Sequence, residues 1–98
     1  TYGVPVEEIQ EGIKHGVRKV NIDTDLRLAS TGSIRRYLAN NPADFDPRKY
    51  FTESLKAMKG IVVSRYEAFG TTGNASRIKP ISLEAMSDEY LSGALDPT

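Results

Sequence analysis

Cysteine is absent from this chain, which removes both a disulfide framework and a thiolate metal site. Histidine occurs once, at His15. Zinc needs several converging ligands, and no second histidine or cysteine stands near it, so His15 reads as a solvated helix-end residue and the segment supplies no metal ligand set. Charge of one sign is missing too: 13 basic and 13 acidic side chains cancel. The doublets Arg18-Lys19, Arg35-Arg36 and Arg48-Lys49 are scattered and form no stripe, so neither nucleic acid nor a membrane is expected as a partner. No signal peptide and no apolar run near membrane-spanning length is present. A cytoplasmic protein is the default expectation.

Length is also in short supply. With 98 residues the chain is one domain at most, near the lower range for a self-sufficient core. A first residue of Thr1 fits a fragment or a trimmed chain equally well.

Thr1 to Gly3 read as a loop. Val4-Pro5 then opens a helix with Val6, Ile9 and Ile13 on its inner stripe and Gly16 as its stop. From Asp25 to about Asn40 a second helix turns Leu26, Ala29, Ile34, Tyr37 and Leu38 inward. Ser30-Thr31-Gly32-Ser33 should bend or break it, because glycine costs about 1 kcal/mol against alanine in a helix interior. Asn41-Pro42 ends it. Asp46 caps the longest helix, with Pro47 at its first position and an apolar seam of Phe51, Leu55, Met58, Val62, Tyr66 and Phe69. That seam is too wide and aromatic to stay in water. Gly70 stops the helix, a Gly, Thr and Asn loop follows, and Ser82 caps a last short helix bearing Leu83, Met86 and Tyr90. Gly93 to Thr98 should fray.

Between the first two helices stands Lys19-Val20-Asn21-Ile22-Asp23-Thr24-Asp25, which reads as a short strand running straight into a helix start. Alternation puts Val20 and Ile22 on one face and Lys19, Asn21 and Asp23 on the other. A polar face is costly to bury unless a ligand satisfies it. In α/β folds ligands gather beyond the C-terminal ends of strands, and backbone N–H groups at a helix N-terminus suit a phosphate. On spacing alone, Asp23 to Asp25 could equally be helix caps, and Asp25 is taken as one.

Three pieces in order carry a resemblance: Val20-Asn21-Ile22-Asp23-Thr24-Asp25, Asp46-Pro47-Arg48, and the stretch from Glu67-Ala68-Phe69-Gly70 through Arg77-Ile78-Lys79-Pro80 to Glu84. Together they resemble the C-terminal part of class II, zinc-dependent fructose-bisphosphate aldolases, with the last stretch similar to the Calvin-cycle subtype. The resemblance covers essentially the whole chain. It implies an α/β fold: residues 1–98 as the C-terminal segment of a (β/α)8 TIM barrel, its last helix-strand-helix unit followed by additional C-terminal helices. A whole barrel needs about 250 residues, so the chain is expected to be a fragment.

The resemblance also implies roles. Asn21, Ile22, Asp23 and Thr24 would line the dihydroxyacetone phosphate site, and Lys19 would either buttress it or pair with Asp23. Arg48 is either a surface arginine paired with Asp44 or Asp46 or, on the family pattern, the residue that reaches the far phosphate in a neighbouring subunit of a homo-oligomer. The zinc cofactor, its histidine ligands and the acid/base aspartate would lie outside this segment. The segment alone is therefore expected to be inactive. A related tagatose-bisphosphate aldolase and a non-catalytic phosphate-binding or assembly module are the alternatives.

Overall fold

The computed structural model describes residues 2–97. Thr1 of the expected opening loop and Thr98 of the expected frayed end lie outside them. The order is α1 (Val6–Lys14), α2 (Thr24–Asn40), α3 (Pro47–Ala68), one 3-10 turn (Ala75–Arg77) and α4 (Leu83–Leu91).

In α1 the Pro5 carbonyl accepts from the backbone N–H groups of Glu8 and Ile9 at 3.1 and 3.3 Å. Ile9 is buried, with Val6 and Ile13 half-buried beside it, as the spacing predicts. Gly16 ends the helix at φ +111°, a conformation an L side chain rarely adopts. The Gly12 carbonyl accepts from both His15 and Val17 at 3.0 Å. A Cβ on Gly12 would stand 3.2 Å from Val17 Cγ2, so the chain turns back tightly over the helix end.

The break expected at Ser30-Thr31-Gly32-Ser33 does not occur; α2 is continuous from Thr24 to Asn40. Tertiary packing outweighs the propensity cost there. Ser30 and Ser54 share a hydroxyl hydrogen bond of 2.6 Å, and Ser33 Oγ donates to the Ser30 carbonyl at 2.8 Å. Small residues at this crossing let α3 approach, and Gly32 lies on the solvent side. Leu26, Ala29, Ile34 and Tyr37 are half-buried as expected, whereas Leu38 is exposed.

Asp46 caps α3 by accepting from the Arg48 backbone N–H, with Pro47 at the first position, and Gly70 follows at φ +72°. The apolar seam expected along α3 divides. Met58, Val62 and Phe69 are half-buried, while Phe51, Leu55 and Tyr66 remain exposed. The covered stripe runs through Ser54, Ala57, Ile61 and Arg65.

Helices α2 and α3 form an antiparallel hairpin that makes the principal tertiary contact. Gln10 Nε2 ties α1 to the far end of α3 through the Ala68 carbonyl at 2.8 Å. Ser82 caps α4, its Oγ accepting from Ala85 N at 3.1 Å, and Ser92 to Leu95 curl into turns where fraying was expected.

The α/β expectation is overturned. Among the described residues there is no strand and no sheet, so the chain is an all-helical fragment and not a barrel unit. Residues 17–23 run as an irregular link between α1 and α2. A strand exists only through ladder hydrogen bonds to a neighbour, and no other segment among the described residues provides one. The shape follows. The radius of gyration is 19.3 Å, against about 13 Å for a compact chain of this length. Among the described residues only Ile9 and Ser54 are buried, and Phe45, Leu83 and Leu91 are at least 84% exposed.

Candidate functional site

The site residues read from the sequence fall into two groups, set at opposite ends of the α2–α3 hairpin. The first lies where the link enters α2. The expected alternation is kept only in part. Val20 and Ile22 line a cleft of about 270 Å³ between the ends of α1 and α3, with Ile13, Val17, Tyr66 and Phe69. Lys19 and Asn21 line a second hollow with Glu8 and Gly12, which Val20 also reaches. Lys19 Nζ donates to Asn21 Oδ1, two residues on, and so holds the amide rather than pairing with Asp23.

Asp23 occupies the N-cap position of α2, but its carboxylate does not cap. It accepts from Arg27 Nε at 2.9 Å on an exposed face. The capping role expected for Asp25 is not what the structure shows. Asp25 lies inside the first turn and forms an ion pair with Arg65 of α3, Nη2 to Oδ2 at 3.8 Å, with both side chains less than a fifth exposed. Thr24 is the first helical residue and is exposed. The start of α2 therefore presents Asn21, Asp23 and Thr24 outward while Asp25 and Ile22 turn in.

The second group lies at the turn. Tyr37 OH donates to Asp44 Oδ2 at 2.6 Å, and Lys49 Nζ donates to Asp44 Oδ1 at 2.9 Å. Arg48 pairs with Asp46, not Asp44, through Nη2 to Oδ2 at 2.7 Å and Nε to Oδ1 at 3.1 Å. These bonds move the titrations. The Tyr37 hydroxyl and then Lys49 hold the Asp44 carboxyl below the usual carboxylate range, and the Arg48 guanidinium does the same to Asp46. In return, Tyr37 and Lys49 are raised by Asp44, and Arg48 by Asp46.

The 17 residues of α2 separate the two groups, roughly 25 Å at 1.5 Å per residue. Within one copy of the chain, Arg48 and Asn21 stand too far apart to meet on one small molecule.

His15 Nε2 donates to the Glu11 carboxylate at 3.1 Å on an exposed surface. Glu11 is lowered by its bond from Lys14 and then by His15. No group of three or more potential metal-ligating side chains occurs among the described residues, and none of their helices is long and apolar enough to cross a membrane.

The Asp25–Arg65 pair and the Tyr37–Asp44–Lys49 cluster were not assigned from the sequence, whereas the pairing of Arg48 with Asp46 was one of its two readings. The first joins residues 40 apart in the chain, with no local signal. The second lies within reach of an Asp-rich turn, and that composition was its only trace.

Comparison with known proteins adds what the geometry alone does not carry. A family model described as "Fructose-bisphosphate aldolase class-II" matches residues 1–74. The fructose-bisphosphate aldolases of Pseudomonas aeruginosa and Stutzerimonas stutzeri are each 73% identical over 97 residues, covering 99% of this chain and 27% of theirs. That of Xanthobacter flavus is 56% identical over 95 residues, 97% of this chain and 27% of its own length. The chain thus spans about a quarter of the curated relatives it matches.

Proposed function

Since this chain belongs to the class II fructose-bisphosphate aldolase family, we propose that it serves, as one segment of a longer cytoplasmic polypeptide, in the reversible cleavage of fructose 1,6-bisphosphate. The products are dihydroxyacetone phosphate and glyceraldehyde 3-phosphate. Cleavage breaks the C3–C4 bond as the C4 hydroxyl gives up its proton. The electron pair passes to the triose half as an enediolate, which takes a proton at C3 to leave as dihydroxyacetone phosphate.

The segment binds and orients in this scheme. Asn21, whose amide Lys19 holds, offers a donor and an acceptor to the triose hydroxyl and carbonyl oxygens. Asp23 accepts from a hydroxyl. The Thr24 hydroxyl, at the positive end of the α2 dipole, holds the near phosphate. Ile22 packs the link into its cleft and fixes the direction of its neighbours. Holding the triose in register is what lowers the barrier. Zinc is the Lewis acid that class II enzymes generally use, but the described residues do not fit it; its ligands would come from the rest of the polypeptide.

The observation that carries the assignment of Arg48 is its distance from Asn21. An exposed arginine at the far end of the hairpin serves the same reaction only by reaching a second copy of the protein, where its planar fork suits the far phosphate. Activity then depends on a homo-oligomer. The identity with these relatives continues beyond residue 74, over 97 residues in all, and the motif residues of the Glu67 to Glu84 stretch are what carry its reading as the Calvin-cycle subtype.

The test uses the full-length protein. Asn21→Ala is expected to lower kcat for fructose 1,6-bisphosphate about a hundredfold, the cost of removing one donor at a developing oxyanion. Arg48→Ala is expected to raise KM about tenfold, as loss of a charge-assisted hydrogen bond does. A zinc chelator should abolish cleavage in all forms. Near-normal kinetics in both variants, with fold retained, would return Asn21 and Arg48 to structural roles.

A further inference from the structure

Arg48 is 91% exposed by its side chain, yet it does not wave in solvent, because Asp46 holds it. The carboxylate of Asp46 does two things at once. Its Oδ1 accepts from the Arg48 backbone N–H at 3.0 Å, which caps α3. Both its oxygens then accept from Nε at 3.1 Å, and Oδ2 accepts from Nη2 at 2.7 Å. Only the side edge of the guanidinium is engaged. The end-on edge, Nη1 with the outer hydrogen of Nη2, takes no part in the grip of Asp46.

The residue that holds the arginine is itself held. Pro47 fixes the backbone after Asp46. On the other side of Phe45, Asp44 is pinned by Tyr37 and Lys49. The arginine therefore stands on a turn whose polar side chains are satisfied locally.

We propose that Asp46 is a positioning residue for Arg48, gripping the Nε–Nη2 edge so that the Nη1–Nη2 edge is presented to the far phosphate of a sugar bisphosphate in a neighbouring copy. This rests on the reading of Arg48 given above. Two effects of opposite sign are at stake. A carboxylate beside a phosphate site repels the ligand, and removing it would tighten binding. An arginine with no partner must instead lose side-chain freedom when it binds, and removing Asp46 would weaken binding. Asp46 is half-buried against its arginine, Arg48 neutralises its charge, and the guanidinium that would meet the ligand is exposed and screened, so the ordering effect prevails.

The experiment compares cleavage of fructose 1,6-bisphosphate and fructose 1-phosphate, which lacks the far phosphate, by the full-length protein. The forms are wild type, Arg48→Ala, Asp46→Asn, Asp46→Ser and the double variant Asp46→Asn/Arg48→Ala. Asparagine and serine both retain an N-cap acceptor, so two folded variants carry the test. Arg48→Ala should lose kcat/KM on the bisphosphate alone. Each Asp46 variant should raise KM for the bisphosphate about fivefold, the loss expected when one ordered long side chain must be immobilised on binding, with the monophosphate unaffected. The double variant should be no worse than Arg48→Ala.

Where Arg48→Ala discriminates between the two substrates, unchanged or tighter bisphosphate binding in the Asp46 variants overturns the positioning role. Equal losses on both substrates overturn it too, by showing a merely structural effect. Failure of Arg48→Ala to discriminate is a different result, which sinks the assignment of Arg48 and this inference with it.

Discussion

At the closed end of the α2–α3 hairpin, polar side chains find partners a few residues away: Tyr37 and Lys49 on Asp44, and Arg48 on Asp46. At the open end, the link through Val20 and Ile22 runs past a cleft with no ladder along it, and the nearest packing comes from helices distant in sequence. The contrast is between a turn whose polar groups and backbone course are both settled locally and a link whose polar side chains pair locally while its apolar face depends on distant helices. A helix cap needs three or four consecutive residues and completes itself. An extended segment rich in polar groups waits for neighbours to satisfy it. Both ends are proposed to meet substrate; at the open end Lys19 holds Asn21 and Arg27 holds Asp23, but the apolar side of the link is lined only by α1 and the end of α3.

The largest effect expected from this difference concerns the 98-residue chain on its own. It should show no cleavage of fructose 1,6-bisphosphate with or without added zinc, and turnover above a metal-only control would break the comparison outright. Hydrogen exchange on the same sample sharpens it. Amides in the middle of α2 and α3 should be protected, whereas those of residues 18–20, 22 and 23 should exchange almost as in an unfolded chain. Equal protection at both ends would mean that the link is ordered by contacts within the segment.

The same division explains what was legible in the sequence. The caps at Asp46 and Ser82, the stops at Gly16 and Gly70, and the inner face of α2 from Leu26 to Tyr37 could all be read, because each is a short-range pattern. The strand could not be secured, since alternation at Val20 and Ile22 states which way side chains point and says nothing about a pairing partner. The α3 seam was half right for a related reason. Phe51, Leu55 and Tyr66 are apolar at helical spacing, but α2 covers a stripe centred on Ser54, and sequence periodicity does not say which side a neighbour takes. The Asp25–Arg65 pair and the Ser30–Ser54 bond depend on where two helices cross. At the candidate site, Asn21 to Thr24 and Arg48 were found through a resemblance, and their separation by the length of α2 emerges only in three dimensions.

An intermediate effect belongs to the crossing that joins the two ends. Ser54 is 6% exposed and its hydroxyl is shared with Ser30. Ser54→Ala in the full-length protein leaves the Ser30 hydroxyl half-buried without its partner and should cost about 1–2 kcal/mol in denaturant unfolding. Removing both hydroxyls, Ser30→Ala with Ser54→Ala, should cost less than the single changes together, because no orphaned group remains. Strict additivity would show that the hydroxyl bond plays no part in seating α2 on α3. Either way, cleavage kinetics should move little, since neither serine lies at an end of the hairpin.

The smallest effect is a shift in titration at the turn. Asp44 is depressed below its ordinary value of 3.8, chiefly by the Tyr37 hydroxyl. A depressed carboxyl contributes stability that is present above its unfolded pKa and lost as pH falls through the folded one, so Asp44 loosens the turn only in acid below about pH 3.8. Tyr37 and Lys49 are raised above their ordinary 10.0 and 10.5. Their contributions are complete below those values and disappear as pH climbs through the raised ones. The turn should hold its geometry across the whole neutral range. Tyr37→Phe removes the first cause of the Asp44 shift and leaves Lys49 in place, so the Asp44 carboxyl, followed by carbon NMR, should titrate closer to 3.8 without reaching it. Asp46 is held by a different partner, Arg48, and should not move. An Asp44 titration unchanged by Tyr37→Phe would show that Lys49 alone anchors the carboxylate. The closed end would then be an ordinary surface ion pair, worth little against salt, and no longer the self-completed counterpart of the open one.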